Sequence, residues 1–342
     1  MNLKEFAEHL GLSPTTVSRA LNGYPEVSET TRARVRRAAE EHNYRPRHHA
    51  RQLATGRSMV LGHVVTRSRH ALIAPLFADL MAGAGEAADA LGYDTQLRIV
   101  DDADEERYYR DIAASRRVDG AVLHGPLEHD PRIELLESLG LPFIVHGRCN
   151  VARRHAWLDV DNVAALERAT AHLIELGHTD IALVNGPETL AFARRRREGF
   201  VAAHRAHDLE PDASRIFSGA LFEHHGHDAL ARLLAAPRPP TALVCSGLLP
   251  AWGALRALST RGLSLGSDLS VVAYDDGVSW LANRGADGEP LLTTVRSSIH
   301  EAGRRLVRHL VRAIEEPERP PAAETLPATL VPGRSTASRP RR

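Results

Sequence analysis

Apolar residues recur at two different periods along this chain, and the period changes near residue 59. Before that point it is helical: Leu3, Phe6, Ala7 and Leu10 share one face, and Gly11 stops the turn as a left-handed C-terminal residue does. Ser13 then caps a second helix, Pro14 suits its first turn, and Val17, Ala20 and Leu21 form an inward stripe that ends at Asn22-Gly23. Ser28 caps a third helix through Thr31 to His42, with Val35, Ala38 and Ala39 facing inward. Residues 1–46 thus predict a minimal all-α unit, and 47–58 a linker in which "HHARQLA" has room for a short helix before Gly56.

Beyond Met59 the rhythm becomes strand then helix: "MVLGHVV", helix 75–91, "YDTQLRIV", helix 104–115, "VDGAVLHG", helix 131–139, "PFIVHG". It restarts at helix 161–176, followed by "DIALVNG", helix 193–207, a strand near 215–219, helix 224–235, "TALVCSG", helix 250–261 and "LSVVAYDD". Such alternation predicts an α/β core of two doubly wound lobes, each a mostly parallel sheet covered on both faces. Ligands of open sheets of this kind sit at the carboxyl ends of the strands, so the residues just past each strand are the candidates for chemistry.

Composition narrows the partners. The formal net charge is zero, but residues 1–57 hold ten Lys and Arg against six Glu, so an anionic partner meets the chain at this end. Cys149 and Cys245 lie far apart with no ligand spacing, and "HHGH" at 224–227 has no carboxylate or Cys at a ligand interval; neither a disulfide framework nor a metal site is expected. The amphipathic start and the absence of a long apolar run predict a cytoplasmic protein. No P-loop, G-x-S-x-G or strand-following G-x-G-x-x-G occurs, nor a placed acid/base pair, so no catalytic residues and no cofactor are expected.

A helix-turn-helix lays its second helix in the major groove, where hydroxyls reach phosphates or base edges and Arg forks onto guanine. The outward face of the second helix offers Pro14, Thr15, Thr16, Ser18, Arg19 and Asn22. "TVSRALNG", "VSETTRARV" and "NYRP", in that order and spacing, resemble the N-terminal domain of LacI-family transcriptional regulators. The resemblance implies that Pro14, Thr15 and Arg19 face base edges while Thr16, Ser18 and Asn22 hold phosphates. "HHARQLATGRS" is similar to the same family's hinge helix, which implies that Leu53 wedges into the minor groove with Ala50 beside it, across a homodimer.

The resemblance continues through "VDGAVLHG", "DVDN", "LIELGHTDIALVNG", "RRREGF" and "VVAYDD" to "LTTV", and so covers essentially the whole chain. It implies a periplasmic-binding-protein-like core clamped on a small molecule, with an N-terminal lobe of 59–159 and 290–320, a C-terminal lobe of 160–289 and 321–332, and a basic tail, 333–342, frayed at its end. It also implies effector contacts at Arg196 and Asp275 on one lobe, and at Leu76, Phe77, His146, Arg148 and Trp157 on the other, with Asp276 structural. Relatives often carry "SND" where this chain has "CSGLL", so Gly247 and Leu248 replace a polar pair. "LNGYPEVSETTR", "HGR" and "CSGLL" look most like the branch containing repressors of α-glucoside utilisation operons.

The expected function is a DNA-binding repressor of a carbohydrate operon, dimeric or built of dimers, with operator affinity set by a sugar-like effector. A regulator using a non-sugar effector or corepressor is the alternative. A transport-type sugar-binding protein is more distant, because residues 1–57 supply a DNA-binding unit in place of an export signal.

Overall fold

The structure is a computed structural model of the 342-residue chain. It describes all residues except 22–23, 43, 45–55, 286 and 340–342, and the side chains of 70–74 are likewise not described. The chain divides into two units, Met1–Met59 and Val60–Arg342.

The first unit is helical, with α1 at Leu3–Leu10, α2 at Pro14–Leu21 and α3 at Glu29–Glu41. Each start is fixed locally: Asn2 and Glu5 form a capping box at α1, Ser13 Oγ accepts from Thr16 N at 3.0 Å, and Ser28 Oγ accepts from Thr31 N at 3.3 Å. Gly11 closes α1 with φ 64°, the left-handed conformation a glycine adopts without steric cost. Phe6, Val17, Ala20 and Val35 are fully buried, and Tyr44 stacks on Phe6 with ring centroids 4.1 Å apart. Arg34 Nη2 donates to the carbonyl of Leu10 at 2.7 Å, holding α3 against the end of α1.

The second unit holds two six-stranded sheets. The elements of the first half are β1 Val60–Thr66, α4 Arg67–Ala90, β2 Asp94–Val100, α5 Glu105–Ala114, β3 Gly120–His124, α6 Pro131–Ser138, β4 Phe143–His146 and β5 Ala156–Val160. Those of the second are α7 Asn162–Glu175, β6 Ile181–Asn185, α8 Ala191–Ala206, β7 Ile216–Ser218, α9 Glu223–Leu234, β8 Ala242–Cys245, α10 Leu248–Thr260 and β9 Ser270–Asp275. Then come β10 Thr293–Arg296, α11 Ile299–Glu315, β11 Ala323–Leu326 and β12 Thr329–Val331. The strand orders are β11-β5-β4-β3-β1-β2 and β12-β10-β9-β8-β6-β7, all parallel except β12 against β10. The central strands β3, β6, β8 and β9 are buried along their whole length, as strands covered by helices on both faces must be.

Three expectations need correcting. The helix expected at 75–91 begins at Arg67, because Thr66 ends β1 and caps α4 directly, leaving Pro75 inside the helix rather than at its start. The expected lobes, 59–159 with 290–320 and 160–289 with 321–332, exchange two strands: β10 pairs with β9 in the second sheet, and β11 pairs with β5 in the first. Lobe membership is decided by these long-range pairings, so the chain crosses after β5, after β10 and between β11 and β12. The second lobe, expected to end at 332, runs on into the segment expected as a basic tail, which is docked as far as Arg339: buried Ser335 Oγ accepts from Thr293 N at 2.8 Å, and Arg339 N donates to Leu176 O at 2.7 Å.

The helix α11 packs along α4 at a crossing made by glycine. A Cβ on Gly83 would lie 1.9 Å from the carbonyl oxygen of His300, and one on Gly303 2.1 Å from that of Leu80. This crossing seats the N-terminus of α11, Ile299, at the mouth between the two sheets.

Candidate functional site

On α2, Pro14, Thr15 and Arg19 are exposed and Thr16 and Ser18 half-buried, while Val17 and Ala20 face the core. The residues assigned to base edges are thus the ones held farthest out, on a helix anchored from beneath by a small apolar core. Thr16 Oγ1 also lies 2.8 Å from Ser13 Oγ, which orders the start of the helix. Asn22, Ala50 and Leu53 lie outside the described residues.

In the second unit a cavity of about 890 Å³ opens at the carboxyl ends of both sheets. The first sheet and its helix contribute Leu76, Phe77, His124, His146 and, near the end of β5, Asp159; the crossing after β5 contributes Asn162; the second lobe contributes Phe192, Arg196, Tyr274 and Asp276. An apolar annex of about 410 Å³ adjoins it, sharing Leu76, Leu221 and Asp276 and lined further by Gly247, Leu248, Val278 and Trp280. The Gly247-Leu248 departure therefore forms part of the apolar wall of this second compartment.

Arg196 is the organising cation. It is 5% exposed; its Nε donates to Asn162 Oδ1 at 2.8 Å and its Nη1 to Ser246 O at 2.5 Å. The guanidinium lies over the Tyr274 ring, 3.7 Å from the centroid, so the planar fork is held in one orientation. Its neighbours divide as a charge run usually does: Arg194 is exposed, Arg197 pairs with Glu188 at 2.8 Å, and Arg195 Nε donates to Arg148 O at 3.2 Å.

Two carboxylates flank Arg196. Burial pushes Asp159 and Asp276 up to about 6, against a partly compensating attraction from cations that in both cases include Arg196. Asp276, not Asp275, lines the cavity. Asp275 turns away: its Oδ1 accepts from Gly277 N at 2.7 Å and its Oδ2 lies 3.6 Å from Arg296 Nε. It ends β9, so side-chain alternation sends it to the opposite side from the residue that follows.

The other wall carries His124 and His146, with His63 packed behind His124. His63 Nδ1 and His124 Nε2 lie 3.0 Å apart, and His124 and His146 meet edge-on with centroids at 5.7 Å. Desolvation lowers His63 and His146 to about 4 and holds His124 well below the usual imidazole range, so all three are neutral near pH 7. Arg148 and Trp157, expected to line the cleft, do not: the Arg148 guanidinium lies 5.4 Å from the Trp157 ring centroid, and the two cover each other beside the cavity. Of the residues expected at the cleft, Leu76, Phe77, His146 and Arg196 line the cavity; Asp159, Asn162, His124 and Tyr274 line it too and were not singled out. A polar residue two positions past a strand was the available signal for Asn162; Asp159 lies within β5 and carried no such signal.

Both rims of the cleft are bridged. On one, Ala191 N donates to Pro126 O at 3.0 Å beside a Leu127–Leu190 bridge; on the other, Ser279 N donates to Asp79 Oδ2 and Trp280 Nε1 to Pro75 O, both at 3.2 Å. Among the described residues no group of His, Cys, Asp and Glu is arranged to hold a metal ion, and no helix is long and apolar enough to cross a membrane.

A helix-turn-helix unit followed by a two-lobed core with a polar cleft defines a ligand-responsive DNA-binding regulator. Residues 2–47 match the model of the lacI family of bacterial regulatory proteins, and residues 170–336 that of the periplasmic binding protein-like domain. The HTH-type transcriptional regulator AglR of Rhizobium meliloti (strain 1021) is 41% identical over 100% of this chain and 96% of its own length. The HTH-type transcriptional regulator RafR of Escherichia coli is 36% identical over 80% and 82%. Among solved structures, the lac repressor dimer bound to operator and the anti-inducer ONPF is 27% identical, with a TM-score of 0.81 over 98% of this chain and 99% of that one. A transcriptional regulator CelR–cellobiose complex is 29% identical, with a TM-score of 0.72 over 98% and 99%. The chain belongs to the LacI family of bacterial regulatory proteins: it is a DNA-binding transcriptional regulator, not an enzyme.

Proposed function

We propose that this regulator is a cytoplasmic homodimeric repressor of a carbohydrate-utilisation operon, and that its operator affinity is set by a sugar, best an α-glucoside, bound in the cleft. The observation that carries the reading is Arg196, fixed over Tyr274 beside Asp276 in a cavity with both apolar and polar walls. A planar donor fork beside a carboxylate acceptor suits adjacent hydroxyls, and Phe77, Phe192 and Tyr274 suit the apolar face of a sugar ring. The likeness to AglR and RafR, and to a regulator solved with cellobiose, supports the choice of ligand class. Leu76, Phe77, His146, Arg196 and Asp276 are the effector contacts in this reading. Pro14, Thr15 and Arg19 read bases, and Thr16, Ser18 and Asn22 hold phosphates, with Ala50 and Leu53 at the minor groove.

Calorimetric titration of the full chain with maltose, trehalose, sucrose, cellobiose and raffinose tests the effector. Saturable binding, tightest for an α-glucoside, is expected; no heat of binding with any of the five sugars contradicts a sugar effector.

A further inference from the structure

Asp159 is a carboxylate that its own fold leaves half used. It lies near the end of β5, 6% exposed, on the wall of the cavity. Its Oδ1 accepts from Val160 N at 2.9 Å and from Asn162 Nδ2 at 3.0 Å, which fixes the plane of the group. Its Oδ2 is buried and has no hydrogen-bond partner among the described residues. The guanidinium groups of Arg195, Arg148 and Arg196 attract it through space, yet none is hydrogen-bonded to it. A buried acceptor left this way is a standing cost that a structural carboxylate avoids by pairing, and that a ligand hydroxyl removes by donating.

The charges around it say which ligands fit. Asp159 faces the cavity from near the end of β5 and Asp276 from just past β9, while Arg196 is the one Lys or Arg among the described lining residues. Two of the guanidinium nitrogens of Arg196 are already committed, to Asn162 and Ser246. His124 and His146 are neutral and give an anion no charge compensation. A sugar phosphate, aldonate or uronate would bring another negative charge against two buried carboxylates with one partly engaged cation between them, a costly placement. A neutral polyol meets acceptor, donor and acceptor in turn.

We propose that Asp159 is a specificity-determining residue of the effector site, accepting a ligand hydroxyl at its free oxygen and selecting neutral polyhydroxylated effectors over anionic ones. This rests on the sugar-effector reading above, and goes beyond it in naming the residue and the charge class it enforces. A structural role would be confined to balancing Arg148 and Arg195; a selective role shows in the ratio of neutral to anionic affinities.

The experiment is calorimetry on the full-length wild type and on Asp159→Asn and Asp159→Ser, each checked for folding by near-ultraviolet circular dichroism and thermal midpoint. The probes are the five neutral sugars above beside gluconate, glucuronate and glucose 6-phosphate. Asn keeps the acceptor toward Val160 and Asn162 but turns the free acceptor into a donor, and Ser removes it. The wild type should bind its best neutral sugar at least about a hundredfold more tightly than any of the three anions, the size of discrimination a mispaired buried polar group supports. Both variants should lose about tenfold or more toward the neutral sugar, and the neutral-to-anion ratio should fall. Neutral affinity kept within twofold in the folded variants overturns the proposal while leaving the sugar reading intact. Equal losses for neutral and anionic ligands, with the ratio unchanged, overturn it in favour of a structural role. A wild type that binds an anion best, or binds none of the probes, overturns the proposal together with the sugar reading.

Discussion

Replacing Arg196 by Lys keeps the charge and removes the plane. The guanidinium makes hydrogen bonds of 2.8 Å to Asn162 Oδ1 and 2.5 Å to Ser246 O, and stacks 3.7 Å from the Tyr274 centroid. An ammonium on a four-carbon stem reaches one of those acceptors and cannot fork onto two ligand oxygens. One charged hydrogen bond is worth about 1.5–3 kcal/mol, and a desolvated cation–π contact about 2 kcal/mol. Folding stability should therefore fall by about 3 kcal/mol, read as a lower midpoint in urea at unchanged slope. The effector loses one fork, so its affinity should fall by about ten- to a hundredfold in calorimetry. A variant with a lower urea midpoint but effector affinity within threefold of wild type would make Arg196 a brace between α8 and the β8 end rather than a ligand contact. Both quantities unchanged would refute the reasoning from the hydrogen bonds themselves.

The acids on the cleft wall set a pH dependence. Asp159 and Asp276 sit at about 6, above the ordinary carboxylate range, so ionising them costs stability as pH rises from about 4 through 6 and costs no more above it. A ligand donating hydroxyls to the ionised form lowers those values on binding; affinity should then be level above pH 7 and fall by up to about tenfold per acid at pH 5, while the three histidines stay neutral. Affinity that rises as the pH falls would contradict this sign. Arg19→Ala should relax preference at one operator base pair by about 1–3 kcal/mol, whereas Thr16→Ala should weaken operator and random DNA alike; competition binding at fixed salt separates the two. Ending the chain at Pro332 leaves the buried Thr293 N without Ser335 Oγ, while His178 keeps Ser270 and Thr241, so the unfolding free energy should fall by about 1–3 kcal/mol, read as a lower urea midpoint.

What was legible in the sequence was what short-range chemistry decides. Gly11, Ser13 and Ser28 mark ends of α1 to α3 because capping involves residues within a turn of one another. The alternation of strand and helix announced two lobes, because each buried strand is an apolar run between polar turns. Pro75 misled, since the same residue that opens a helix elsewhere is carried inside α4 here. The homes of β10 and β11 were hidden, since either sheet accepts a short strand and only pairing with β9 or β5 decides. Asp275 and Asp276 are adjacent, and a one-residue difference at the end of β9 reverses which of them faces the cavity. The docked tail has no periodicity to read; Ser335 is buried by its hydrogen bonds to neighbouring strands, not by an apolar stripe.

The central claim is that the cleft and the DNA-reading helix share one free energy. It is tested most directly by titrating the full-length protein onto an operator selected by the protein itself from random DNA, at fixed salt, with and without the saturating sugar that binds tightest. A coupling of about 1–3 kcal/mol, a change in operator affinity of roughly 5- to 150-fold, is the predicted result. Identical operator isotherms with and without saturating sugar would contradict the account.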